Sequence, residues 1–174
     1  LQGEKNGLPG ITPELVSVLC QNHHTVLIEG DSDHKDRKLY LAVGAYIINT
    51  KEELLDRGDI ILKKEPILFQ DIDSVNGEEK IFFTTIDIND KKLVQKAIVN
   101  EISIINYLNL PGLNIKKMKT ISSAEFSHYI TPFILSLTGK GLKALVDDEI
   151  LRDALLIMGG KVYNGTLAGL HHLQ

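Results

Sequence analysis

The chain has no tryptophan, a single cysteine and only 6% aromatic residues in 174 positions. Cys20 therefore has no internal disulfide partner, which fits a reducing compartment. Its place in a helical pattern reads as a small hydrophobe rather than a nucleophile. An excess of basic charge is also missing, since 19 Lys and Arg stand against 23 Asp and Glu, for a net charge of −4. Phosphate backbones and anionic membranes are held by clustered cations, so this balance excludes nucleic acid and membrane surfaces as partners. No apolar run approaches the roughly 20 residues that span a bilayer. The opening Leu1-Gln2-Gly3-Glu4-Lys5 lacks the apolar centre of a signal peptide. The expected location is the cytoplasm.

Metal and phosphate motifs are missing as well. The 6 histidines (His23, His24, His34, His128, His171 and His172) include no His-x-x-x-His pair, and no Cys-x-x-Cys exists, so no zinc site is expected. No glycine-rich phosphate turn stands between a strand and a helix. Gly139-Lys140-Gly141 and Gly159-Gly160-Lys161 lack the Gly-x-x-x-x-Gly-Lys-Ser/Thr spacing and read as helix ends. Asn164-Gly165-Thr166 has the form of a glycosylation sequon, which stays unmodified without secretion.

What is present is a hydrophobic fraction of 43%, enough for one domain, residues 1–174, with its own core. From about residue 13 to residue 107, short β-rich runs alternate with amphipathic helical runs, the pattern of a parallel sheet. Thr12-Pro13-Glu14 supplies an N-cap, a proline at the first helical position and an acid at the positive helix end. Strands are expected at 25–28, 45–48, 59–62, 81–85 and 102–105. Between them lie helices ending at Gly44, opened by Thr50 with Glu53 as a capping box, and running over 91–100. Polar turns are read at 30–33 and 73–77. After Pro111-Gly112 the pattern turns helical. Phe126, Ile130, Phe133, Ile134 and Leu137 recur at three- and four-residue spacing, and Pro132 is expected to kink or restart that helix. Residues 151–165 read as a short helix followed by turns. The expected architecture is a three-layer α/β fold: a βα-alternating core over 1–107, with a mainly parallel sheet of about five strands, and a helical return segment over 108–174 packed back on it. The exposed side of the return helix could equally serve a homo-oligomer.

The run Asp59-Ile60-Ile61-Leu62-Lys63-Lys64-Glu65-Pro66 places two lysines at a strand's carboxyl end, where α/β sheets form ligand crevices. A cation there can neutralise a carboxylate or phosphate. Side chains alternate along a strand, so at most one of Lys63 and Lys64 faces a site while the other is solvated. Asp87, just past the fourth strand, is a candidate general base or amine ligand. With Asn89 and Asp90 it is also a candidate helix cap before Lys91.

Ile11-Thr12-Pro13-Glu14, Val26-Leu27-Ile28-Glu29, Tyr40 with Val43-Gly44-Ala45, and the run ending Leu62-Lys63-Lys64-Glu65-Pro66 together resemble the substrate domain of the alanine dehydrogenase and pyridine nucleotide transhydrogenase family. Asn109-Leu110-Pro111-Gly112, Thr131-Pro132-Phe133 and Lys140-Gly141-Leu142-Lys143-Ala144-Leu145 resemble its last segment. The resemblance implies a Rossmann-like or flavodoxin-like fold, Lys64 and Asn109 near a substrate, and NAD(H) as the family's cofactor. It also exposes departures. The family's inserted NAD-binding domain has no counterpart between about Tyr107 and Pro111, so these residues are expected to hold no cofactor. Its first strand and the arginine before Ile11 are missing, Gly10 standing there instead. No histidine occupies 85–87, where its catalytic histidine falls.

Ile102-Ser103-Ile104-Ile105-Asn106-Tyr107 and Phe126-Ser127-His128 resemble, in second place, the saccharopine-forming lysine–oxoglutarate reductases. The implied function is a reduced substrate domain, a pseudoenzyme without hydride transfer on its own. Two alternatives stand beside it: a binding module for a small carboxylate, either an oxo acid or an amino acid, and a non-catalytic interaction subunit of a dehydrogenase.

Overall fold

Short apolar runs bounded by capping residues give ten helices and seven strands among the described residues of this computed structural model, which are 10–30, 37–75 and 80–171. Parts of the turns read at 30–33 and 73–77, with His34 and His172, lie outside them. Pro13 opens α1 (Pro13–Gln21), where its missing N–H is no loss. Thr12 holds the N-cap position in extended conformation, but its side chain makes no cap bond. Then come β1 (Leu27–Glu29), α2 (Arg37–Ala42) and β2 (Tyr46–Ile48). Gly44, at φ +99°, turns the chain between the last two, a conformation that costs glycine little. Thr50 accepts from the Glu53 amide at 3.3 Å to start α3 (Lys51–Arg57).

β3 (Ile60–Leu62), α4 (Phe69–Asp73), β4 (Ile81–Thr84), α5 (Lys91–Val99) and β5 (Ser103–Asn106) continue the alternation. The first five strands lie where the sequence places them, and β1–β2, β3–β4 and β4–β5 pair in parallel. Among the described residues they do not form one sheet. β1 and β2 stand alone, while β3, β4 and β5 continue into β6 (Leu155–Met158) and β7 (Lys161–Val162). These last two run antiparallel, where the sequence suggested helix and turns. Gly159 and Gly160, at φ +53° and +71°, form the two-residue connection of this hairpin rather than a helix end. Two positive φ values match the twist of paired strands, and glycine adopts them without strain.

The return segment carries α6 (Ile115–Met118), α7 (Ser123–Lys140), α8 (Ala144–Asp147), α9 (Glu149–Ala154) and α10 (Gly165–His171). A reciprocal capping box of Ser122 and Glu125 starts α7, and Gly141 at φ +58° ends it. Of the two outcomes expected at Pro132, the restart does not occur, and α7 runs through it as one helix. Its buried row of Phe126, Ile130, Phe133, Ile134 and Leu137 holds both halves against the core. Asn164, the sequon residue, accepts from the Leu167 amide at 3.0 Å at the start of α10.

Helices cover both faces of the sheet, giving three layers. On one face Ile28, Phe83 and Ile105 pack with α1 and α7. On the other, Ile61, Phe82 and Ile104 pack with Leu55, Ile72, Leu93 and Leu167. Burying each such side chain stabilises the fold by about 1.5–3 kcal/mol. Hydrogen bonds tie the chain's entry to α7: Gly10 N donates to Ser123 Oγ and Thr12 N to Ser127 Oγ, both at 2.9 Å. Buried Lys80 donates to the Asp56 and Gly58 carbonyls at 2.6 and 2.8 Å, satisfying the negative end of α3. Among the described residues no helix is long and apolar enough to cross a membrane.

Candidate functional site

The chain leaves β3 at Leu62 and runs through Lys63, Lys64, Glu65 and Pro66 across the carboxyl ends of β4 and β5. Polar contacts pin this segment. Tyr107 Oη, at the end of β5, donates to the Lys64 carbonyl at 2.5 Å, and Thr84 Oγ1, at the end of β4, donates to the Glu65 carbonyl at 2.8 Å. The Ile67 amide donates to the Thr85 carbonyl at 2.8 Å. Burial pushes the Tyr107 phenol up to about 12, with the Glu65 carboxylate adding to the effect and the contact with Thr85 opposing it. Tyr107 is therefore a neutral donor at ordinary pH.

The two lysines have different work. Lys63 Nζ donates to the Pro66 carbonyl at 2.7 Å and lies 3.2 Å from Asp71 Oδ2. Asp71 is 0% exposed. Its other oxygen pairs with Lys51, and Oδ2 accepts from the Leu68 amide at 2.8 Å. Burial drives this carboxyl upward, yet the Lys51 bond, the Leu68 amide and the charges of Lys63 and Lys51 outweigh it and hold it below the usual carboxylate range. Lys64 is left over. It is 7% exposed, and its Nζ, like Glu65 Oε1, is buried without a hydrogen-bond partner. The two atoms lie 3.9 Å apart, an ion pair too long for a hydrogen bond.

Both lysines and Glu65 line a cavity of about 1060 Å³ between the two sheets. Leu27 of β1, Ile60 and Leu62 of β3, and Leu54 of α3 contribute apolar wall. The charged groups stand at the carboxyl end of β3, where a parallel sheet places its ligands.

Asp87 and Asn109 reach the same end of the sheet, past β4 and β5, but neither lines the cavity and both are exposed. Asp87 Oδ1 accepts from the Asn89 amide at 3.0 Å in a local turn, while Asp90 makes the cap of α5. Asn109, in a 3₁₀ turn over Tyr107–Asn109, accepts from Asn106 Nδ2 at 3.3 Å. Asp71, Glu65 and Tyr107 were not singled out from sequence. Tyr107 had a signal, a hydroxyl-bearing ring directly after a strand, whereas nothing local marks Asp71 as buried. Burial raises the Cys20 thiol, and among the described residues no three His, Cys, Asp or Glu side chains converge as a metal site would require.

The chain is a three-layer α/β domain with a buried, unsatisfied cation facing a crevice at its strand ends. Residues 7–126 match the model of the alanine dehydrogenase/PNT N-terminal domain, and the chain belongs to that family. A solved L-alanine dehydrogenase superposes with a TM-score of 0.78 at 11% identity, over 97% of this chain and 97% of that one. A transhydrogenase from Sinorhizobium meliloti gives 0.52 at 15% identity, over 65% of this chain and 35% of that chain. At these identities the likeness establishes the fold. No curated protein matches the chain.

Proposed function

We propose that residues 1–174 act as a substrate domain of the alanine dehydrogenase type that binds a small carboxylate, an amino acid or oxo acid, without transferring hydride on its own. The observation that carries this reading is Lys64 Nζ, buried against the cavity with no hydrogen-bond partner. A buried ammonium lacking its bonds costs several kcal/mol, and a ligand carboxylate supplies the missing acceptor. Glu65 Oε1, equally unsatisfied beside it, suits the ammonium of an amino acid. The cofactor and the hydride belong, in this reading, to a separate nucleotide-binding domain.

A thermal-shift series with alanine, lysine, pyruvate, oxoglutarate, NADH and NADPH tests it. At a ligand concentration 100 times Kd, binding adds about 2.7 kcal/mol to stability. A carboxylate compound is expected to raise Tm in the parent chain and to lose that effect in Lys64→Ala. A flat response to all four carboxylates, or a shift that survives Lys64→Ala, overturns the reading.

A further inference from the structure

Lys64 differs from other enclosed lysines of the chain in holding nothing. Lys63 commits its ammonium to the Pro66 carbonyl and Asp71, and Lys80 commits its own to the Asp56 and Gly58 carbonyls. Lys64 Nζ is buried with no hydrogen-bond partner, and Glu65 Oε1, 3.9 Å away, is buried in the same state. Their backbone is pinned. Tyr107 Oη and Thr84 Oγ1 donate to the Lys64 and Glu65 carbonyls at 2.5 and 2.8 Å. A nitrogen and a carboxylate oxygen, both uncommitted and both fixed, therefore stand together at the carboxyl end of β3 and face the crevice.

A lysine amine attacks a carbonyl carbon where it is desolvated and a base beside it takes its proton. We propose that Lys64 forms a Schiff base with a 2-oxo acid in this crevice, with Glu65 as the proton carrier. The inference rests on the reading of Lys64 as a carboxylate anchor and adds a covalent step to it. In a 2-oxo acid the carbonyl carbon is bonded directly to the carboxylate carbon. A carboxylate seated on Nζ thus brings that carbon to about 3–3.5 Å, the range from which attack proceeds. The ammonium passes a proton to Glu65, the freed lone pair bonds to the carbonyl carbon, and the carbonyl oxygen takes that proton to give a carbinolamine. A second proton, carried the same way, leaves with the hydroxyl as water while the carbon–nitrogen double bond closes. The carbonyl oxygen and both protons depart as one water, so nothing is oxidised or reduced and Glu65 ends as it began. The iminium nitrogen keeps the positive charge, and the carboxylate keeps its cation.

The test treats the full chain with pyruvate or oxoglutarate and cyanoborohydride, which reduces an iminium to a stable secondary amine. Peptide mass mapping should find at Lys64 an added mass equal to the oxo acid less one oxygen atom, in an amount that saturates with oxo acid. Lactate, which has the carboxylate and no carbonyl, should compete the label away, and exposed Lys140 should carry little of it. Lys64→Arg keeps the charge without the nucleophile and should abolish the label, with cooperative melting as the check that it folds. Glu65→Gln should slow labelling by about a hundredfold, the contribution of a positioned acid–base group. Labelling that is equal at Lys64 and Lys140, indifferent to lactate, or as fast in Glu65→Gln overturns the proposal. An oxo acid that raises Tm without labelling Lys64 overturns it too and leaves the binding reading standing, whereas the absence of both a Tm shift and a label removes both.

Discussion

A carboxylate with no exposed surface stays ionised only where cations and amides replace its water, and Asp71 has Lys51, Lys63 and the Leu68 amide. Asp71→Asn removes one partner of this buried cluster and leaves two ammonium groups facing an amide. A loss of about 3 kcal/mol is expected at pH 7, measured by urea unfolding. Because the folded pKa lies below the unfolded value of about 3.9, the stabilisation is complete above that value and is lost as pH falls through the folded one. The parent and Asp71→Asn curves should therefore converge in acid. Tyr107 works in the opposite range. Its phenol rises from 10.0 to about 12, so stability is complete below the unfolded value and falls as pH climbs from one to the other. Tyr107→Phe leaves the Lys64 carbonyl without its donor, at a cost of about 1–2 kcal/mol at pH 7. That gap should narrow between pH 10 and pH 12, and a constant gap would mean that burial of the phenol is not what couples it to folding.

At the scale of elements, the β6–β7 hairpin turns on glycine. Gly160 sits at φ +71°, and a Cβ there would stand 3.3 Å from the Ile98 carbonyl at the end of α5. Gly160→Ala should destabilise by about 1–3 kcal/mol through backbone strain and that close approach, measured by thermal or urea unfolding. Gly139→Ala, at a glycine with open space around it and ordinary φ, is the control and should cost little. The same hairpin shows where the sequence was legible and where it was not. Pro13, the Thr50–Glu53 cap and the spacing from Phe126 to Leu137 are local signals, and the helices that they announce are present. Leu155-Leu156-Ile157-Met158 is a four-residue apolar run without period, which reads as helix or strand until its partner is known. Gly159-Gly160 was the overlooked cue, because paired glycines between apolar runs favour a hairpin over a helix end. Of the site, the position of Lys64 past a strand end follows from the Asp59–Pro66 run. The Asp71 cluster does not, since it joins α3, the β3 exit and α4 through side chains distant in sequence.

The largest feature that no local pattern could announce is the division of the sheet, because strand order depends on contacts between elements rather than on any element's own residues. It also sets how the whole molecule opens. A two-stranded sheet is at best marginal in water. The β1–β2 ladder, with three registered pairs, rests on Ile28 and Ala45 packed into the α1–α7 cluster and not on β3. β4 and β5 are paired on both sides and buried on both faces. Opening β1, α2 and β2 together thus exposes less apolar surface than global unfolding, and it should occur at lower free energy. Native-state hydrogen exchange at increasing urea checks this, since the urea dependence of an opening scales with the surface that it exposes. Ile28 and Ile48 amides should exchange with a shallow dependence at low urea and merge with Phe82 and Ile104 only near the global transition. If all four amides share one steep slope throughout, the cavity between the sheets is no mechanical seam, and α1 and α7 bind the two halves into a single cooperative unit.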